Sequence, residues 1–185
     1  MLMKRDLSDC EALFNLLVHP DVFPFVRHRA SSVEEYLFVT KQLIEAEEQG
    51  ELISRTIIDE WGTPIGTITL FDIQNNAGFL GTWIGKPYHG MGYNEKAKSV
   101  FFDELFFSGN IERIYMKVRN TNERSRKAVL KLPYVQEVSA THPILVSQIN
   151  KGAHQYDLFE ISKDMYSLHM MRTAAEEPLV LANEA

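Results

Sequence analysis

The hydrophobic and polar positions follow a helical period at the start of the chain and a strand period from about residue 52. Residues 8–18 put Leu13, Phe14, Leu16 and Leu17 on one face of a helix, with Ser8 or Asp9 available as its cap. Residues 19–32 hold two prolines and two arginines and read as a loop. Ser32 then precedes the run VEEYLFVTKQLIEAEEQG. A hydroxyl cap, Glu35 three residues on and Gly50 at the stop predict a helix over 33–49.

Short extended runs follow at 52–58, 65–73 and 79–84, the first two flanking a turn at Gly62-Thr63-Pro64. Glycines 85, 90 and 92 lead into a predicted helix over 93–107, whose apolar face is Ala97, Val100, Phe101, Leu105 and Phe106. A strand over 111–118, a helix over 122–132 and strands over 134–139 and 155–162 complete the pattern. From about residue 170 no period is visible. This order fits the α/β (α+β) class: a mixed, mostly antiparallel twisted sheet with helices on both faces. Residues 1–169 are expected to form a single domain, and 170–185 a C-terminal tail, flexible or docked. A boundary at Asn75-Asn76 is rejected, because neither half would carry a sufficient core.

A length of 185 residues suits one domain, and 45% apolar with 24% charged residues is globular usage. The net charge of −6 argues against a nucleic-acid partner, which needs a basic face to replace phosphate counterions. The lone cysteine, Cys10, allows no disulfide within the chain and fits a cytoplasmic setting. The six histidines show no metal-ligand spacing, so no metal is expected. No apolar leader and no membrane-length apolar run is visible, so no membrane partner is expected.

The segment GKPYHGMGYNEKAK, residues 85–98, carries the candidate chemistry. A strand ends, glycines turn the chain, and a helix begins. Glycines let a ligand approach the backbone, and the first helical turn offers N–H groups to a phosphate. Taken alone, the segment reads equally well as a tight turn into a helix. Lys86, Lys96 and Lys98 read as solvated lysines that could meet phosphates. The signatures of a P-loop and of a dinucleotide fingerprint are both absent.

IGTITLFDI, then GFLGTWIGKPYHGMGYNEKAKSVFFDELF, then RIYMKVRNTNERSRKAVLKLPY resemble the central motifs of GNAT N-acetyltransferases. The branch most similar is that of the ribosomal-protein-alanine acetyltransferases, and the resemblance spans most of residues 1–162. It implies a GNAT-like sheet and acetyl-CoA as co-substrate. It assigns the pantetheine arm to the backbone of Trp83, Ile84 and Gly85. It assigns the pyrophosphate to the main chain of His89, Gly90, Met91, Gly92, Tyr93 and Asn94, with Glu95. Asn122 matches the residue that contacts the cofactor arm, and Ser125 the one near the thiol. From the residues alone, Asn122 is a helix cap and Ser125 a surface position. The chain departs from the pattern at Phe79, Thr82, Asn94, Lys96, Val129 and Pro133-Tyr134. It also begins so near the first strand's end that this strand reads as clipped.

The resemblance implies direct attack of an amine on the thioester in a ternary complex, with Ser125 as the catalytic acid for the leaving thiolate. Asp72, His89, Asp157 and an ordered water remain open as the base. The acceptor is a small-molecule or peptide amine, and the chain a monomer or homodimer. Two other readings stand beside this one: a catalytically degenerate GNAT-fold module that binds acyl-CoA, and an interaction domain without a CoA site.

Overall fold

A computed structural model describes the backbone of residues 1–182 and the side chains of residues 1–175. Two compact units divide the chain, Met1–Asn110 and Ile111–Ala185.

The first unit holds strands β1 (Leu2–Lys4), β2 (Ile53–Ile58), β3 (Pro64–Gln74) and β4 (Ala77–Ile84), paired in that order and all antiparallel. Helices α1 (Cys10–Leu17) and α2 (Val33–Glu48) intervene between β1 and β2, and α3 (Tyr93–Asp103) follows β4. Ile65 to Phe71 are buried without a break. A strand buried at every position has both faces covered: α1 lies on β3, and α3 on β1, β3 and β4. Cys10, Leu13, Leu17, Val22 and Tyr36 form the core beneath α1 and α2, with Phe14, Phe23 and Trp83 packed against it.

Local signals set several of these boundaries. Ser32 accepts from the Glu35 N–H at 3.2 Å, and Glu35 reaches back to the Ser31 N–H at 2.7 Å. At the other end of α2, Glu51 N–H donates to the Ala46 carbonyl and Gly50 N–H to that of Glu47, both at 3.0 Å, a Schellman close. Asn75 and Asn76, with φ of 51° and 60°, make the two-residue turn of the β3–β4 hairpin rather than a boundary.

Other expectations are corrected. Asp6, not Ser8 or Asp9, caps the turn leading into α1, accepting from Ser8 N–H at 2.8 Å. The first strand is short yet present, with Leu2 opposite Ile57. Helix α3 ends at Asp103 and passes into a π turn over Glu104–Ser108. Val100, placed on the apolar face from sequence, is 50% exposed, while Lys98 is 7% exposed.

The second unit holds β5 (Arg113–Arg119), α4 (Glu123–Leu130), β6 (Gln136–Glu137), α5 (Pro143–Ile149), β7 (Tyr156–Ser162) and α6 (Lys163–Ala182). Strand β7 pairs antiparallel with both β5 and β6. On β5, Ile114, Met116 and Val118 are buried and alternate with more exposed positions, the period-2 pattern of a sheet covered on one face. Tyr134 and Tyr166 meet edge to face at 4.9 Å inside this core.

The strand predicted over 134–139 shrinks to two residues. Residues 143–149, given no element from sequence, form α5 with Pro143 at its first position. From residue 170 the backbone continues helix α6 to Ala182, and residues 183–185 of the expected tail lie outside the described residues. Among the described residues no helix is long and apolar enough to cross a membrane.

Candidate functional site

The glycine loop begins where β4 ends. Gly85 N–H donates to the Ile65 carbonyl at 2.8 Å, and a Cβ at Gly85 would meet Leu16 at 2.8 Å. A side chain at Gly85 would therefore require Leu16 of α1 to shift. After a single turn over Lys86–Tyr88, the half-buried His89 donates from Nε2 to the Ile84 carbonyl at 2.8 Å, tying the loop back to its strand.

Gly90 and Gly92 then adopt φ of 79° and 82°, and nothing lies within 4 Å of where their Cβ atoms would stand. The left-handed backbone requires glycine, and the space beside it is open. Gly92 is also the cap residue of α3 and supplies no side chain, so the first turn of N–H groups has no side-chain acceptor from the cap. Met91, Asn94 and Glu95 are exposed around this turn. The loop thus offers an open run of backbone with the positive end of a helix behind it.

Tyr93 is buried and anchors the turn, its hydroxyl donating to the Glu60 carboxylate at the β2–β3 turn. That bond, with burial and the nearby negative charge, pushes the phenol up to about 12 and holds the Glu60 carboxyl below its usual range. Lys86 pairs with Asp21, and Lys96 is exposed. Lys98 is not solvated: burial pulls its ammonium from 10.5 down to about 8, against the raising effect of Glu95. A mostly apolar cavity of about 250 Å³ opens beside Tyr93, lined by residues including Leu2, Ile58, Ala97 and Val100. Gly90, Met91 and Gly92 do not line it, so the open backbone of the loop is a separate feature.

The second motif lies in the second unit. Asn122 caps α4, its carboxamide oxygen accepting from Ser125 N–H at 3.1 Å, which leaves the amide NH₂ for another partner. Ser125 is half-buried on the first turn of α4. The three side chains weighed as bases are each engaged. Arg27 clasps Asp72 through both carboxylate oxygens at 2.9 Å, Arg126 pairs with Asp157, and His89 is tied to Ile84. Asp72 itself sits in a left-handed conformation, φ 54°.

Sequence reasoning missed Glu60 beneath Tyr93 and the burial of Lys98. Glu60 gave no local signal, being 33 residues from its partner. Lys98 gave one: it falls three and seven residues before Phe101 and Leu105, at helical spacing.

The family model described as Acetyltransferase (GNAT) domain matches residues 1–134, which include both motifs. The chain belongs to the GNAT acetyltransferase family. Solved GNAT structures share its fold. A ribosomal-protein-S5-alanine acetyltransferase from Vibrio fischeri is 20% identical, with a TM-score of 0.70 over 88% of this chain and 92% of that one. A chimera of the spermidine N-acetyltransferase SpeG from Vibrio cholerae and hSSAT is 15% identical, with a TM-score of 0.70 over 90% and 96%. RimJ from Mycobacterium smegmatis, in complex with CoA-disulfide, is 17% identical, with a TM-score of 0.69 over 87% and 80%. At these identities the likeness is one of fold. No curated protein matches the chain.

Proposed function

We propose that this GNAT protein is an N-acetyltransferase that moves the acetyl group of acetyl-CoA to a primary amine in a ternary complex. The observation that carries the reading is the loop at the head of α3. Its two left-handed glycines face open space and lead into a helical turn without a side-chain cap. That arrangement suits a pyrophosphate, which accepts N–H bonds and complements the helix dipole.

In this reading His89 to Asn94, with Glu95, hold the pyrophosphate through the main chain, and Trp83, Ile84 and Gly85 guide the pantetheine arm. Acetyl-CoA supplies the acyl group as an activated thioester. The amide NH₂ of Asn122 holds the arm while its oxygen caps α4. The amine nitrogen bonds to the thioester carbon, the carbon–sulfur bond breaks, and Ser125 passes a proton to the departing thiolate while taking one back from solvent water. The amine sheds its proton to a base drawn from Asp72, His89, Asp157 and an ordered water. Holding the two reactants together supplies several kcal/mol of the barrier reduction.

The acceptor is a small-molecule or peptide amine. The structural neighbours named for spermidine and for a ribosomal-protein alanine present both kinds. The family match crosses residue 110, which supports reading residues 1–169 as one domain. A thiol-release assay with acetyl-CoA and a panel of polyamines, amino acids and alanine-ended peptides tests the function. Turnover with one class supports it. Coenzyme A binding without turnover on any of them points instead to a degenerate binding module.

A further inference from the structure

Lys98 occupies the middle of the buried stripe of α3. At 100° per residue it falls in angle between Phe101 and Phe102, both fully buried, and close to Leu105. The lysine is itself 7% exposed. Among the described residues it has neither an ion-pair partner nor a hydrogen bond. The charge that acts on it is that of Glu95, in the first turn of the same helix. Its Nζ is not fully enclosed, yet an ammonium with so little water around it and no counter-charge is costly, and an aliphatic side chain would fill such a position at lower cost.

The direction of the side chain gives the ammonium a destination. Helical side chains lean toward the N-terminus of their helix, over the preceding turn. Four residues before Lys98 stands Asn94, the second residue of α3, directly after the open loop at Gly90 and Gly92. A flexible four-carbon stem leaning that way would bring the ammonium toward the first turn, whose N–H groups have no side-chain acceptor from the cap.

We propose that Lys98 is a buried counter-charge for the diphosphate of the acyl donor, held beneath the first turn of α3 and directed at the anion that the Gly90–Gly92 loop takes. The proposal rests on the acetyl-CoA reading of that loop. The arriving anion offsets the burial of the ammonium and holds it protonated. In the free protein the ammonium is already weakened, since burial brings it down to about 8. Binding then draws a proton from solution at alkaline pH, and affinity falls as pH rises through 8.

The test is a calorimetric titration with coenzyme A at pH 7 and pH 9, on the wild type, Lys98→Met and Lys98→Arg. The Met variant is expected to melt no lower than the wild type and to bind at least tenfold more weakly at pH 7. The wild type is expected to lose affinity between pH 7 and pH 9, while the Met variant does not and the Arg variant stays tight at both. Met-variant affinity within twofold of the wild type at pH 7 overturns the role of Lys98 and leaves the donor site standing. Should the Met variant fail to fold, equal wild-type affinity at the two pH values overturns it alone. A wild type that does not bind coenzyme A removes the donor reading and this proposal together.

Discussion

The Tyr93 hydroxyl donates to the Glu60 carboxylate, joining the first residue of α3 to the β2–β3 turn 33 residues earlier. The bond raises Tyr93 to about 12 and lowers Glu60. A raised phenol stabilises the fold below its ordinary value of 10 and loses that contribution as pH climbs toward 12. A lowered carboxyl stabilises above its ordinary value of 4.5 and loses the contribution as pH falls through its folded value. Tyr93→Phe is therefore expected to melt below the wild type at pH 7 and to converge with it in acid. Melting curves taken downward from pH 7 through the acid range check this, and a difference that stays constant throughout counts against the bond.

Gly92 tests the loop. Its φ of 82° is a conformation that costs an L-residue about 1–2 kcal/mol, yet nothing in the protein obstructs a side chain there. Gly92→Val is expected to remain folded, lose modest stability, and fail to bind coenzyme A because its branch fills the space facing the ligand. Normal coenzyme A affinity in this variant reduces the loop to a turn.

Asn122 and Ser125 are expected to separate. Asn122→Ala removes the cap on Ser125 N–H, lowering stability by about 1 kcal/mol, and weakens coenzyme A binding. Ser125→Ala is expected to leave affinity nearly unchanged and lower kcat and kcat/KM together, by roughly 10² if it supplies general-acid help. Steady-state thiol release beside calorimetry makes the comparison. A Ser125→Ala enzyme that turns over like the wild type assigns the acid to water or another residue.

What the sequence made legible was local. The capping hydroxyl of Ser32, the reach of Glu35 and the Gly50 close all act within a few residues, so α2 could be read nearly to its ends. Asn122 was readable as a cap for the same reason. The anchoring of Tyr93 by Glu60 and of Asp72 by Arg27 arises from strand pairing and loop placement over long separations. Periodicity does not encode such contacts. Lys98 was misjudged because lysines are usually solvated, although its spacing from Phe101 and Leu105 placed it on the apolar stripe. The run after 163 is rich in helix-forming Met, Leu, Ala and Glu, and propensity carries α6 where no amphipathic period was visible.

The central claim is that the loop at the head of α3 binds acetyl-CoA. It is tested most directly by following the melting temperature of the wild-type protein as acetyl-CoA is added. A ligand that binds only the folded state at 100 times its dissociation constant adds about 2.7 kcal/mol. The melting temperature is therefore predicted to rise with acetyl-CoA concentration and not with NAD or ATP, whose loop signatures the sequence lacks. A melting temperature unmoved by millimolar acetyl-CoA contradicts the claim.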